Sequence, residues 1–403
     1  MGSIQQFIRQ LFAGTLWLFV LSHFSHHVIT ALIVPLLPYI RNDFALDYTQ
    51  SGFVISAFSL SYGIGQLPAG WLADRMGSRN LITISIVGVA LAGLMVGLSH
   101  TYILMVLCLI GMGIAGGGYH PSAPPLISAA VAPENRGFAL GCHVIGGSAS
   151  FFLSPLIGAA IATAFGWRGA FIGLAMPSIL FGIIFYQVLG RLDPSADQVR
   201  NTKDPKADSA LPKSFYNRVI PFIVLTTLTS ATMTSTFSFV PLYMVDQFNI
   251  AERTAAAMMA IIYSTGLWAA PLGGHLSDKV GKVRMMLVLC ILTGPAIFLL
   301  NIVPYGYGFG FGALLLVLGV IAMIRMPVSE SFLVTDVPER YRSTFLGIYF
   351  FSAIEAGGVL TPVMGSLIDR YGFYTSFTLA GAFLVLVTLT CGFFLLKNRN
   401  RTF

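Results

Sequence analysis

Long apolar stretches separated by short polar breaks run the whole length of the chain. A bilayer-spanning helix needs about 20 mainly apolar residues. Twelve stretches of that kind follow one another, at 11–38, 49–73, 80–99, 102–131, 137–164, 168–190, 218–245, 253–276, 284–303, 308–334, 342–367 and 374–396. Pro recurs inside them, as at Pro35, Pro38, Pro68, Pro155, Pro271 and Pro327. Proline breaks helices in water, but packed membrane helices keep it as a kink. The longest polar stretch, 191–217, holds five basic and four acidic residues with three prolines, and reads as a linker. The pattern predicts an all-α membrane protein of twelve transmembrane helices. It has a six-helix bundle over 1–190, a cytoplasmic linker over 191–217 and a second six-helix bundle over 218–403.

Composition narrows the class. With 56% hydrophobic and 10% charged residues, the chain falls far from the roughly 25% charge of soluble domains and from the low hydrophobicity that disorder requires. The net charge of +7 is no nucleic-acid footprint, because the 23 Lys and Arg are scattered among apolar runs. If the N-terminus is cytoplasmic, 18 of those 23 fall on the inner side and only Arg41, Arg168, Arg253 and Arg370 on the outer side. Such a bias sets both termini in the cytoplasm, with the chain in a bacterial inner (plasma) membrane. The first apolar run is too long for a signal-peptide core and reads as the first span. Cys108, Cys142, Cys290 and Cys391 lie in apolar stretches without short spacing, and read as small core residues rather than a disulfide or metal set.

The halves repeat each other. GWLADRMGSR from Gly70 is echoed by GHLSDKVGKVR from Gly274, and PENRGFALG from Pro133 by PERYRSTFLG from Pro338. SPLIGAAI from Ser154 returns as TPVMGSLI from Thr361, and FGWRGAF from Phe165 as YGFYTSF from Tyr371. The offsets stay within 204–207 residues, which makes a parallel duplication. Parallel halves with a site between them suit a rocking transporter better than a channel or an enzyme.

The loop GxLaDrxGxr after the second stretch, repeated after the eighth, resembles the signature of the major facilitator superfamily. Within it, GGGYHPSAPPLIS and RGFALGCHVIGGSASFFLSPLIG look like the fosmidomycin-resistance-like efflux branch. SPLIG is also similar to the Gly/Pro motif of antiporters in this superfamily, with Ser154 where Gly is usual and Ala159 in place of a second Gly. The resemblance implies two bundles around a central cavity lined by helices one, four, seven and ten. It implies alternating access in a monomer whose partners are a small-molecule substrate, protons and the lipid bilayer, with no cofactor.

The repeated loop supplies a gating motif: Gly70, Asp74, Arg75, Gly77 and Arg79 in the first copy, and Gly274, Asp278, Lys279, Gly281 and Lys282 in the second. Asp74 and Asp278 sit at cytoplasmic helix ends, where a carboxylate can accept from a helix N-terminus of the other half and pair with cations. Ordinary loop charges are the plainer reading, but they would not recur in register. Val283 stands where Arg79 would map.

A few polar residues lie inside the spans. Arg325 is near the middle of the tenth, where a charge costs at least ~2.5–3.5 kcal/mol and so faces a cavity or a partner. It is a candidate for holding an anionic substrate group; a structural ion pair with Glu330 or Glu355 is the alternative. Glu355, in the apolar context FFSAIEAGGVL, is the leading proton-coupling candidate, with Glu330 beside it. His23, His26 and His27 share one broad helical face, and His120 maps onto Arg325 through the repeat. With His143, these histidines are candidates for substrate binding, since imidazole changes charge near neutral pH; packing histidines satisfied by hydrogen bonds are the plainer reading. No acidic or thiolate ligand stands near them in sequence, so no metal site is assigned.

Other signals drop out. Gly111, Gly113 and Gly116 spell GxGxxG but follow no strand, and small residues there allow close helix packing. No Walker loop occurs, and no catalytic pair or triad shares a segment, so the chain reads as no enzyme. The triplet at Asn400 falls on the expected cytoplasmic tail. Eight hydroxyl residues between Thr226 and Thr236 crowd the seventh span, some expected to face the cavity and the rest to bond back to their own helix. Together these readings predict proton-coupled efflux of a small amphipathic or anionic solute; uptake of a small organic anion with protons is the alternative.

Overall fold

The computed structural model describes residues 16–131, 136–192, 213–303 and 308–397, leaving aside some side chains within them, those of Gly70, Asp74, Gly274 and Asp278 included. Most of the expected linker, 193–212, and the Asn400 triplet lie outside the described residues. Fourteen α-helices follow in order among the described residues: α1 (Leu16–Thr30), α2 (Leu37–Phe44), α3 (Tyr48–Gln66), α4 (Ala69–Met76), α5 (Ser78–Leu98), α6 (Tyr102–Gly116) and α7 (Tyr119–Ala130), then α8 (Arg136–Leu192), α9 (Lys213–Phe248), α10 (Glu252–Ser264), α11 (Ala269–Val280), α12 (Lys282–Leu299), α13 (Phe309–Asp336) and α14 (Glu339–Lys397).

These elements match the twelve expected spans once two irregularities are seen. Four spans are broken. The first is α1 and α2 joined through residues 31–36, the second is α3 and α4 broken at Leu67–Pro68, and the fourth is α6 and α7 broken at Gly117–Gly118. The eighth is α10 and α11 joined by a 3-10 turn at Thr265–Leu267. Pro68 cannot donate a backbone hydrogen bond, and the paired glycines cost a helix much of its stability, which explains two of these breaks. Conversely, two spans run together in α8 and again in α14. Each join is a glycine with positive φ, Gly166 (φ 69°, ψ 170°) and Gly372 (φ 73°, ψ 171°). L-residues avoid that region, and glycine enters it freely. The two positions correspond in the repeat, so the duplication shows in the backbone as well as in the letters.

Seven helical stretches among the described residues are long and apolar enough to cross a membrane, and two of them, of 53 and 43 residues, are long enough for two crossings each. The broken first, second and eighth spans supply the rest. Large apolar side chains lie open on the outer faces, among them Ile103 and Leu107 on α6 and Leu386, Leu389 and Phe393 on α14. In water such a surface would aggregate; in a bilayer it is the lipid-facing belt. The protein is an integral, multi-pass membrane protein of the all-α class.

Two compact units make up the chain. The first comprises Met1–Ala45, Ala57–Thr202 and Ile250–Ala260; the second comprises Leu46–Ser56, Lys203–Asn249 and Ile261–Phe403. In the first, α1 and α5 pack on α8. Its core draws Leu18 and Phe19 from α1, Ile82 and Ile86 from α5, Tyr119 and Ile127 from α7, and Cys142, Phe185 and Leu189 from α8. In the second, α14 packs along α9 and α12, and α13 against α11.

Candidate functional site

Each unit buries one polar cluster in its apolar interior. In the first unit, α1 presents His23, His26 and His27, α7 presents Tyr119 and His120, and α8 presents His143. The i, i+3 and i, i+4 spacings on α1 put its three rings on one face. All four of His23, His26, His27 and His143 are buried. The rings of His23 and His143 stack at 4.1 Å, and those of His26 and Tyr119 at 4.3 Å. The ring of His23 has room because residue 147 is glycine; a Cβ there would lie 2.5 Å from the His23 Cε1 atom.

Hydrogen bonds fix the orientation of the rings. A carbonyl can only accept, so His23 donates through Nδ1 to the His143 carbonyl at 2.8 Å, and His143 donates through Nδ1 to the Phe19 carbonyl at 3.0 Å. The Thr30 hydroxyl gives its proton to the His27 carbonyl and accepts from His27 Nδ1 at 3.3 Å. His27 Nε2 then faces His120 Nε2 at 3.2 Å. His26 Nε2 lies 3.2 Å from the Tyr62 hydroxyl, and its Nδ1 has no hydrogen-bond partner among the described residues. Tyr119 donates to Ser22, whose hydroxyl bonds the Phe19 carbonyl. The four histidines chosen as substrate-binding candidates, His23, His27, His120 and His143, therefore share one cluster, which Tyr62, Tyr119 and Ser22 complete. Those three escaped the sequence reading; the adjacency of Tyr119 to His120 was the available signal.

In the second unit, Arg325 of α13 is buried, with 6% of its surface exposed. Its guanidinium donates to the Met233 sulfur and the Thr226 carbonyl, both on α9 and both at 3.1 Å. Its Nε has no hydrogen-bond partner among the described residues. Cys290 and Tyr349 lie within electrostatic reach of the guanidinium, and Tyr349 within reach of Glu330 as well. Glu330, on the same helix, is half-buried, and its Oε1 has no hydrogen-bond partner among the described residues. Glu355 is buried on α14, six residues before Thr361, whose hydroxyl meets that of Ser235 on α9 at 3.2 Å. The hydrogen-bond partners of Arg325 among the described residues are thus neutral, where the sequence offered Glu330 or Glu355.

Of the gating motif, the side chains of Asp74 and Asp278 lie outside the described residues, as do those of Gly70 and Gly274. The two turn glycines are described: Gly77 and Gly281 have φ of 82° and 94°, and each donates to a carbonyl four residues earlier at 2.9 Å. Arg79 donates to the Tyr186 carbonyl at 2.9 Å and lies 3.9 Å over the Tyr186 ring, while Arg75 stacks over Trp71. In the second copy Lys282 takes a corresponding job with different partners, donating to the Ser331 carbonyl and the Thr335 hydroxyl. Lys279 is exposed. The GxGxxG run divides: a Cβ at Gly113 would strike Ser61, whereas one at Gly111 would meet nothing.

The model of the Major Facilitator Superfamily matches residues 19–362, and the chain belongs to that family. It is a transporter and not an enzyme. A probable L-galactonate transporter of Escherichia coli is 27% identical over 271 residues, covering 63% of this chain and 60% of that protein. A probable sulfoacetate transporter of Cupriavidus necator is 24% identical over 86% of this chain and 85% of its own. The multidrug resistance protein MdtG of Salmonella arizonae is 25% identical over 86% and 87%. Among solved structures, a bacterial homologue of the human lysosomal transporter Spinster, in an inward-facing and unoccupied conformation, superposes with a TM-score of 0.77 at 17% identity, covering 96% of both chains. At that identity the likeness concerns the fold.

Proposed function

We propose that the chain is a proton-coupled secondary transporter that exports a small organic anion by alternating access. It works as a monomer in a bacterial inner membrane with both termini in the cytoplasm. The observation that carries this reading is Arg325, a buried cation whose hydrogen-bond partners among the described residues are all neutral and whose Nε has none among them. A buried charge held only by neutral groups is under-compensated, and a carboxylate or sulfonate of a solute would compensate it through charge-assisted hydrogen bonds. Two of the relatives are named for anions of this type, L-galactonate and sulfoacetate. Similarity to a multidrug resistance protein over most of the chain favours export. Glu355 and Glu330 are the groups that take up and release the coupled proton, and His23, His27, His120 and His143 are the polar lining of the first unit. Asp74 and Asp278 act as latches in the cycle.

The test is flux through purified protein in proteoliposomes under an imposed pH gradient, across anionic, neutral and cationic compounds. Arg325→Ala should abolish transport of anions and spare neutral solutes; equal loss of both by a folded variant would make Arg325 structural. Glu355→Gln should uncouple flux from the gradient. Undiminished pH-driven flux in that variant removes Glu355 from the coupling. Uptake of an organic anion together with a proton uses the same residues, and the sign of the gradient that accelerates flux separates the two directions.

A further inference from the structure

We infer that the histidine cluster of the first unit is a binding site for a divalent late first-row transition-metal ion, ligated by His23, His27 and His120. One ring nitrogen from each of these residues lies within 4.8 Å of those of the other two. Imidazole nitrogen suits Zn2+, Cu2+, Ni2+ and Co2+ and is a poor ligand for Mg2+ or Ca2+. Metal–nitrogen bonds of about 2.0–2.1 Å in a tetrahedron set ligand nitrogens roughly 3.3 Å apart. His27 Nε2 and His120 Nε2 already stand at 3.2 Å. A small swing of His23 completes a three-nitrogen site with a fourth position left for an exchangeable ligand.

The surroundings support a ligand site over a packing cluster. A metal-bound histidine characteristically donates its other ring N–H to a carbonyl, carboxylate or similar acceptor, which holds the ring and its tautomer. Both α1 ligands do so. His23 spends Nδ1 on the His143 carbonyl, and His27 spends Nδ1 on the Thr30 hydroxyl, whose own proton is committed to the His27 carbonyl. Each ring is therefore fixed with its Nε2 lone pair available. His143 is fixed in turn by the Phe19 carbonyl and lies stacked on His23. At the His27–His120 contact the two facing Nε2 atoms share one N–H, and a cation can take that proton's place. Gly147 leaves the space that His23 needs. Residues from α1 and α7 would be joined by the ion, fastening the break after Thr30 to the helix that follows Gly118. The inference is independent of anion transport through Arg325, which lies in the other unit.

The experiment is Co2+ titration of the purified, untagged full-length protein in detergent, read by the visible ligand-field bands and by the thermal midpoint, with Zn2+ as competitor. Wild-type protein should develop the bands with one Co2+ per chain, gain thermal stability from the ion, and lose the bands to Zn2+. His27→Ala and His120→Ala should abolish both effects, and Thr30→Val should weaken binding by about 10–100-fold, the usual cost of removing a group that orients a ligand. His100→Ala, at an exposed histidine far along the chain, is the control that should titrate like wild type. Absence of stoichiometric binding in the wild type, or bands that persist in a folded His27→Ala/His120→Ala double variant, would overturn the assignment. Neither outcome touches Arg325-dependent flux, so the two readings fail separately.

Discussion

Asp369 caps the start of helix α3 from 320 positions away in the chain, its two carboxylate oxygens accepting the backbone N–H groups of Tyr48 at 3.0 Å and Thr49 at 2.9 Å. The first turn of a helix leaves its N–H groups without intrahelical partners and carries a partial positive charge. A second device works beside it: Asp47 accepts from the Gln50 N–H while Gln50 accepts from the Asp47 N–H, a reciprocal capping box. Within the second unit, these contacts pin the segment Leu46–Ser56.

Removal of that cap should be measurable. Asp369→Ala is expected to cost about 1 kcal/mol, the usual worth of a lost cap, and to lower the thermal midpoint in detergent. Asp369→Asn, which keeps an acceptor and loses the charge, should fall between the two. A midpoint unchanged in both variants would show that the capping box alone holds the turn.

Gly166 and Gly372 offer a cleaner case, because a Cβ at either would meet nothing within 4 Å. Only the backbone conformation opposes a side chain there. Gly166→Ala and Gly372→Ala should each cost about 1–2 kcal/mol through positive φ, and the two losses should add, since the sites lie in separate units. With ψ near 170° the backbone sits in a region essentially confined to glycine, so Asn should be no better tolerated than Ala. Midpoints unchanged in both Ala variants would disprove the conformational account.

Arg325→Met separates stability from function. Replacing a buried charge by an apolar side chain of similar length is often neutral or stabilising, by as much as ~1–4 kcal/mol where ion pairs have been removed whole. The variant should therefore fold with a midpoint at or above that of the wild type while losing anion transport. A large drop in stability would instead mark the bonds to Thr226 and Met233 as structural.

The spans were legible because twenty apolar residues admit few readings, and the repeat was legible because glycines at 77, 166, 281 and 372 are needed for backbone shape. The breaks at Leu67–Pro68 and Gly117–Gly118 were not placed, since membrane helices tolerate Pro and Gly as often as they yield to them. The three α1 histidines could be put on one face from spacing alone. Their meeting with His143 depends on how closely α8 approaches α1, which residues such as Gly146 and Gly147 permit but do not announce. Arg325 stood out as a charge in an apolar run, yet its partners were beyond reach of the sequence. One is a backbone carbonyl, which every residue carries, and the other is a methionine sulfur, which no charge rule selects.

The hydroxyls of α9 carry a consequence for motion. Thr226, Thr229, Thr232, Thr236 and Ser238 each bond the carbonyl four residues earlier on their own helix, at 2.7–3.0 Å. Among the described residues, Thr227 reaches outward to Ser352, Thr229 also to the Cys290 sulfur, and Ser235 to Thr361 and the Gly357 carbonyl. A surface whose polar groups are already paired internally can slide along or part from its neighbours without stranding donors in hydrocarbon. The helix richest in hydroxyls therefore carries most of them in bonds that would travel with it, so few of its polar groups need new partners when its neighbours shift.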